Sequence, residues 1–117
     1  KDDLAQAGRA REVIRDAVDR GERCFVGLVV LCELVWVLRQ SYGVSRADMV
    51  KALEGLLNAE EFEIERRDVA LNAFHDFKTA AIDFADAVIG YCHHGRGCAQ
   101  TVTFDKRLRR SALFKVL

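Results

Sequence analysis

The longest apolar run of the chain, CFVGLVVLCELVWVL at residues 24–38, constrains the fold more than any other feature. It is too short for a membrane span, which needs roughly 20 apolar residues, and Glu33 interrupts it. The pattern instead predicts a short strand at 24–28 that leads into a largely buried helix at 29–41. A strand followed at once by a buried helix is typical of a domain in which helices cover a sheet.

The rest of the chain continues this alternation of strands and helices. Further helices are predicted at 3–20, 45–58, 68–78 and 84–94, and further strands at 61–65, 99–104 and 114–117. The first helix carries its apolar residues, from Leu4 to Val18, near one face. Ser45, Asp68 and Asp83 each precede a helical pattern and can cap it. The alternation predicts one α/β domain over residues 1–117, with a mostly parallel sheet flanked by helices.

Composition narrows the classes of function. The 18 basic and 18 acidic residues balance, so no strong long-range attraction to nucleic acid is expected, although a local basic patch can still bind RNA. Three of the four cysteines stand in apolar or helical segments, which suits reduced thiols better than a disulfide framework. We therefore expect a cytoplasmic protein.

The stretch CHHGRGC, residues 92–98, combines four residues of types that bind zinc. A zinc site requires ligands at a suitable spacing, and adjacent histidines on a helix point about 100° apart. The favoured interpretation is therefore a helix end, with His93 and His94 in the last turn and Gly95 and Gly97 in the turn that follows. A zinc site is the less favoured alternative.

Three acids at the edges of apolar segments say more about a possible functional site than the CHHGRGC stretch does. Glu33 is the lone charge of the apolar run, and a buried carboxylate needs a cation, a proton or a metal. Asp86 follows the capping Asp83 by three residues, and Asp105 directly follows the strand at 99–104. Each acid also has a simpler interpretation: Glu33 can reach solvent or pair with arginine, Asp86 can favour the helix dipole, and Asp105 can cap the next helix.

Together the three acids form a candidate site for a hard cation. Ligands of open parallel sheets gather beyond the carboxyl ends of the strands, where Asp105 is expected. All-oxygen ligands suit Mg²⁺ or Mn²⁺ rather than zinc. The basic run KRLRR, residues 106–110, follows directly and can hold flanking phosphates, or it can be a solvated helix face.

Two long segments resemble PIN domains, particularly the VapC-type toxins. DFADAVIGYCHHGRGCAQTVTFDKRL, residues 83–108, is similar to the C-terminal signature of that family, and LVVLCELVWVLRQSYGVSRADM, residues 28–49, is similar to its second motif. The opening KDDLAQAGRAR resembles the segment that follows the family's first strand. The resemblance implies a PIN-like three-layer α/β domain. The order and spacing of these motifs are more specific to the family than any single motif.

The resemblance also implies a site and an activity. Glu33, Asp86 and Asp105 match the metal-binding and catalytic acids, Thr103 matches a supporting hydroxyl, and Asp83 is kept as a cap. The implied reaction is hydrolysis of RNA phosphodiester bonds with Mg²⁺ or Mn²⁺, which activates water and neutralises charge in the transition state. Lys106 and Arg107 are expected to contact RNA. We expect the three acids to converge within about 12 Å, since paired metal ions lie about 4 Å apart.

The implied partners are an RNA substrate, an antitoxin protein whose arginine reaches the acidic pocket, and a second copy of the chain. Trp36, Val37 and Tyr42, on or just after the apolar helix, are candidates for the homodimer surface. Two alternatives stay open. One is an RNA-processing nuclease outside toxin–antitoxin systems, and the other is a catalytically inactive binding module.

The chain departs from the family pattern at its start. The family's first acid ends a first, central strand, and neither is found here; Asp2 and Asp3 belong to a later segment. We therefore expect a sequence that begins a dozen or so residues into the domain. In the implied strand order 3-2-1-4-5, the strands at 24–28 and 99–104 would flank the central strand and would not pair with each other.

Overall fold

The computed structural model describes residues 4–117 and confirms the α/β prediction. The five helices of this part are α1 Leu4–Asp19, α2 Leu28–Gln40, α3 Arg46–Asn58, α4 Arg67–Ala80 and α5 Phe84–Gly95, and the four strands are β1 Cys24–Val26, β2 Phe62–Ile64, β3 Thr101–Thr103 and β4 Phe114–Val116. A short 3₁₀ helix, Lys106–Leu108, follows β3. The predicted start of the first helix at Asp3 lies outside the described residues. Between residues 4 and 117, no helix is both long and apolar enough to cross a membrane.

The strands form two separate parallel pairs instead of one continuous sheet. β1 pairs with β2, with Cys24 opposite Phe62, and β3 pairs with β4, with Thr101 opposite Phe114. Within the described chain, β1 and β3 do not pair with each other, as expected from the implied strand order. The middle residues of these two strands, Phe25 and Val102, are 63% and 59% exposed. A central strand between the two pairs stays a prediction.

The core lies between the helices, and α4 and α5 form its centre. Phe84 is fully buried and meets Phe77 edge to face, with ring centroids 6.5 Å apart. The Tyr91 hydroxyl donates to Asp76 Oδ2 at 2.9 Å, which ties α5 to α4. Burial and the neighbouring Asp76 raise the pKa of Tyr91 to about 12, so this hydroxyl stays a donor at neutral pH. The other fully buried large side chains are Leu31, Met49, Leu53 and Leu57.

Two helices are less buried than the sequence predicts. Leu28, Leu31 and Val35 of α2 face the core, but Val29 is 76% exposed and Trp36 is 55% exposed, so the prediction of a largely buried helix is wrong. In α1, Ala17 is the one buried residue among those described, and Leu4 is 80% exposed. The physical reason is the same in both cases: the described fold supplies a packing partner on one side of α2 and little covering for α1.

The helix starts depend partly on distant contacts. Ser45 Oγ accepts the Asp48 N–H at 3.1 Å, which confirms Ser45 as the cap of α3. Asp68 does not cap α4, contrary to the prediction: the helix starts one residue earlier, after Arg66 in the left-handed region, and Asp68 pairs with Arg66. Glu65, the residue before Arg66, does not cap α4. Its side chain accepts the Leu28 N–H at 2.9 Å and so caps the start of α2, 37 residues earlier in the chain.

The packing of α5 on β4 generates a prediction about Gly90. A Cβ at this position would stand 2.9 Å from a ring carbon of Phe114 and 3.1 Å from Leu113 Cδ1. We expect Gly90→Ala to lower the free energy of unfolding by about 1–3 kcal/mol because of overpacking, as measured by urea denaturation.

The matched control is Gly55→Ala in α3, where a Cβ meets nothing within 4 Å. Alanine is the better helix former by about 0.8–1.0 kcal/mol, so this variant should be more stable than the wild-type chain. The same stabilisation in Gly90→Ala would contradict the close contact between α5 and β4.

Candidate active site

Asp83 and Asp86 lie at the start of α5. Asp83 Oδ1 accepts the Asp86 N–H at 3.1 Å, and Asp83 Oδ2 accepts from Arg39 at 3.1 Å. Both oxygens of Asp83 are therefore engaged, one in the cap and one in an ion pair, which confirms its predicted role as the cap. The Asp86 side chain is half-buried in the first turn. The capped turn thus fixes the backbone from which the Asp86 carboxylate projects.

Asp105 is held at the end of β3 by its neighbours. The Thr103 hydroxyl accepts the Asp105 N–H at 3.1 Å, and its role as a supporting hydroxyl of the site stays a prediction. Asp105 Oδ1 in turn accepts the Arg107 N–H at 2.9 Å, which makes Asp105 the cap of the 3₁₀ helix. The simpler interpretation of Asp105 as a cap is therefore correct, and the Arg107 side chain also pairs with this carboxylate.

The carboxylates at this end of the fold act on one another. Burial raises the pKa of Asp86, and the charges of Asp83 and Asp105 raise it further, while the Arg107 guanidinium opposes the increase. Hydrogen bonds from Arg107 lower the pKa of Asp105. Asp86 is therefore the acid whose negative charge the fold disfavours. A cation beside it would relieve both the desolvation and the repulsion.

A pocket of about 330 Å³ opens beside these acids. Its charged lining residues are Arg39, Arg46, Asp83, Asp86 and Arg107, and its buried apolar lining residues are Met49, Phe77, Ile82 and Leu108. The sequence analysis did not identify Arg39 or Arg46. A signal existed for Arg46, since a cation in the first turn of a helix is unfavourable unless it has a partner elsewhere. Arg46 donates to the carbonyl oxygens of Phe77 and Lys78 at the end of α4.

The other predicted site residues are more dispersed. Glu33 is exposed on α2 and makes no hydrogen bond or ion pair within residues 4–117. Those residues contain no group of three or more His, Cys, Asp or Glu side chains arranged to hold a metal ion. The convergence of Glu33 with Asp86 and Asp105 therefore stays a prediction. Lys106 is exposed beside Asp105, and the Arg107 side chain pairs with Asp105.

The CHHGRGC stretch forms the predicted helix end. α5 ends at Gly95, and Gly97 takes a positive φ of 96° in the turn. His93 Nδ1 lies 2.9 Å from Thr101 Oγ1, so this histidine links the helix end to β3. Cys98 is exposed beyond the turn. The favoured interpretation of this stretch as a helix end and turn is therefore confirmed.

Comparison with known proteins gives the family of the chain. The model of the PIN domain family matches residues 3–113. The chain belongs to the PIN domain family. The resemblance inferred from the motifs is thereby confirmed, and the matched range includes Glu33, Asp86 and Asp105.

This PIN domain is also similar to a VapC ribonuclease of Aquifex aeolicus (strain VF5). The two sequences are 28% identical over 91 residues, which cover 78% of this chain and 67% of that protein. No solved structure matches the chain. Sequence likeness and the placement of the acids therefore carry the functional argument.

The raised pKa of Asp86 generates a prediction about stability and pH. Because the folded-state pKa lies above the unfolded value of about 3.9, the ionised carboxylate opposes folding at neutral pH. This opposition disappears as the pH falls through the folded-state pKa. In EDTA, Asp86→Asn should therefore melt at a higher temperature than the wild-type chain at pH 7, with no difference below about pH 4.

Asp68→Asn is the control of opposite sign. Hydrogen bonding to Arg66 lowers the pKa of Asp68, so its charge stabilises the fold above the unfolded pKa, and this stability is lost as the pH falls through the folded-state pKa. This variant should melt at a lower temperature at pH 7. A melting temperature of Asp86→Asn at or below that of the wild-type chain at pH 7 would show that the Asp86 charge is not disfavoured.

Proposed function

We propose that this PIN domain is a divalent-metal-dependent endoribonuclease and the toxin of a type II toxin–antitoxin pair. The proposal is supported by the family match, by the likeness to a VapC ribonuclease, and above all by one structural observation. That observation is the half-buried Asp86 carboxylate in the first turn of α5, where burial, and then the charges of Asp83 and Asp105, raise its pKa. A site with this electrostatic imbalance is well suited to bind a cation.

The carboxylate chemistry of the three acids suits Mg²⁺ or Mn²⁺. Both ions prefer carboxylate oxygens, and the mutual repulsion of Asp86 and Asp105 is of the kind that a bound divalent ion relieves. In the proposed site Glu33, Asp86 and Asp105 would hold the ion. When bound, the ion would supply an activated water and would neutralise charge that develops on the phosphate.

The remaining residues have supporting roles in the proposal. Asp83 holds the start of α5 and is itself neutralised by Arg39, so it adds less negative charge to the site than a free carboxylate would. Thr103 fixes the backbone of Asp105. Lys106 is exposed next to Asp105 and is placed to contact an RNA phosphate beside the reacting one.

The test is cleavage of RNA by purified protein in Mg²⁺ and in Mn²⁺. Glu33→Gln, Asp86→Asn and Asp105→Asn should each reduce the rate at least about a hundredfold, because even changes to residues that only support metal ligands cost 10–100-fold. Each variant should keep the circular dichroism spectrum of the wild-type chain. Chelation with EDTA should abolish cleavage, and added Mn²⁺ should restore it.

Glu54→Gln, an exposed acid of α3, is the matched control and should cleave at the wild-type rate. Cleavage that survives in Asp86→Asn would overturn the proposed site. An intact wild-type fold that binds Mn²⁺ but never cleaves RNA would support an inactive binding module. Cleavage without an adjacent small antitoxin gene would support an RNA-processing nuclease.

The proposed assembly is a homodimer through the exposed side of α2. Val29, Val30, Leu34 and Trp36 on this helix are large apolar side chains that are each at least 36% exposed. A second copy of the chain would cover these side chains, and an antitoxin would bind in addition.

Light scattering at micromolar concentration should give about twice the 13.2 kDa chain mass. Trp36→Glu should reduce that mass to one chain, because a buried charge without a partner is costly at an interface. Val13→Glu on α1, where Val13 is 65% exposed, is the control and should leave the dimer intact. A wild-type mass of a single chain would count against the dimer.

A further inference from the structure

Arg107 engages both oxygens of the Asp105 carboxylate. Its side-chain Nε–H donates to Oδ1 at 3.0 Å and its terminal N–H donates to Oδ2 at 2.9 Å, while its backbone N–H also donates to Oδ1 at 2.9 Å. Two parallel bonds from the planar guanidinium to the two oxygens form the fork geometry that arginine makes with carboxylates. Only the backbone bond belongs to the helix cap. The two side-chain bonds are additional.

This arrangement places a positive group on the carboxylate that the proposed metal ion would use. A divalent ion would bind Asp105 through its carboxylate oxygens. The guanidinium already donates one hydrogen bond to each of these two oxygens. The ion and the guanidinium therefore cannot use the carboxylate in the same way at the same time.

The Arg107 side chain is also free to leave. It is 87% exposed, whereas the Asp105 side chain is 27% exposed. Arg107 lines the 330 Å³ pocket beside Asp86, so the guanidinium has open space on that side as well as bulk water. Exposed ion pairs are weak, so the closed arrangement would be favoured only modestly over the open one.

We propose that Arg107 is an internal counter-ion of Asp105 that competes with the divalent cation for this carboxylate. The inference rests on the proposed metal-dependent function and adds to it a positioning residue that holds Asp105 in place while no ion is bound. Metal binding then requires the arginine to move away, and the observed metal affinity is reduced by the fraction of molecules in the closed arrangement. This role differs from the direct RNA contact expected for Arg107.

The experiment measures Mn²⁺ binding alone, by calorimetry, without RNA. Arg107→Gln should bind Mn²⁺ about two- to fivefold more tightly than the wild-type chain, which is the range that exposed ion pairs allow. Arg107→Lys keeps the charge but cannot form the fork, so its affinity should fall between the two. Arg110→Gln removes the same charge from an exposed position three residues away and should change the affinity less than Arg107→Gln.

A second measurement follows the arginine itself. In the wild-type chain, the Nε–H resonance of Arg107 should shift towards that of free arginine when Mg²⁺ is added, and it should not shift in Asp86→Asn. A merely structural ion pair would leave the resonance in place. Because Arg107 is exposed, its variants are expected to fold, which circular dichroism can verify.

The outcomes separate this inference from the proposed function. Equal or weaker Mn²⁺ affinity in Arg107→Gln overturns the counter-ion role while the metal site stands. If Arg107→Gln binds RNA more weakly in EDTA but binds Mn²⁺ with unchanged affinity, Arg107 is an RNA contact and not a counter-ion. Absence of Mn²⁺ binding by the wild-type chain and by every variant at millimolar concentration would overturn both the counter-ion role and the proposed metal site.

Discussion

The close approach of α5 to β4 at Gly90 holds the two parts of the candidate site together. Gly90 leaves no side chain between the helix and Phe114, and a Cβ there would already be too close to the ring. The start of the same helix carries Asp86, while β4 pairs with β3, whose end carries Asp105. This close contact, together with the link from His93 to Thr101, holds the helix that carries Asp86 beside the strand pair that carries Asp105.

The fold stabilises this site at some cost. Asp83 caps α5 and pairs with Arg39, and Asp105 accepts three hydrogen bonds from Arg107, but Asp86 is half-buried near the charges of Asp83 and Asp105. Such a carboxylate weakens the metal-free fold and, in the proposed function, gives the site its affinity for a cation. Arg107 reduces the negative potential of the site, because it neutralises Asp105 and also opposes the increase in the pKa of Asp86.

Local signals in the sequence predicted most of the fold and part of the site. The caps at Ser45 and Asp83 depend on a side chain and an N–H three residues apart, so a single sequence reveals them. The predicted start of α4 was wrong: Arg66, in the left-handed region, precedes the helix, and Asp68 pairs with Arg66 instead of capping it. Burial of α1 and α2 depends on which segments surround them. The apolar pattern of a helix does not specify which segments surround it. The position of Glu33 relative to the aspartates also depends on how α2 packs against those segments.

The two strand pairs differ in the length of the chain that connects their paired strands. The β1–β2 pair joins Cys24 to Phe62, whereas the β3–β4 pair joins Thr101 to Phe114 across a loop about one third as long. Closing the shorter loop costs about 1 kcal/mol less chain entropy. We therefore expect the C-terminal pair, with Asp105 at its edge, to close more readily and to offer Phe114 as the surface on which α5 docks. The strand pair beside Asp105 is the more local of the two in the chain.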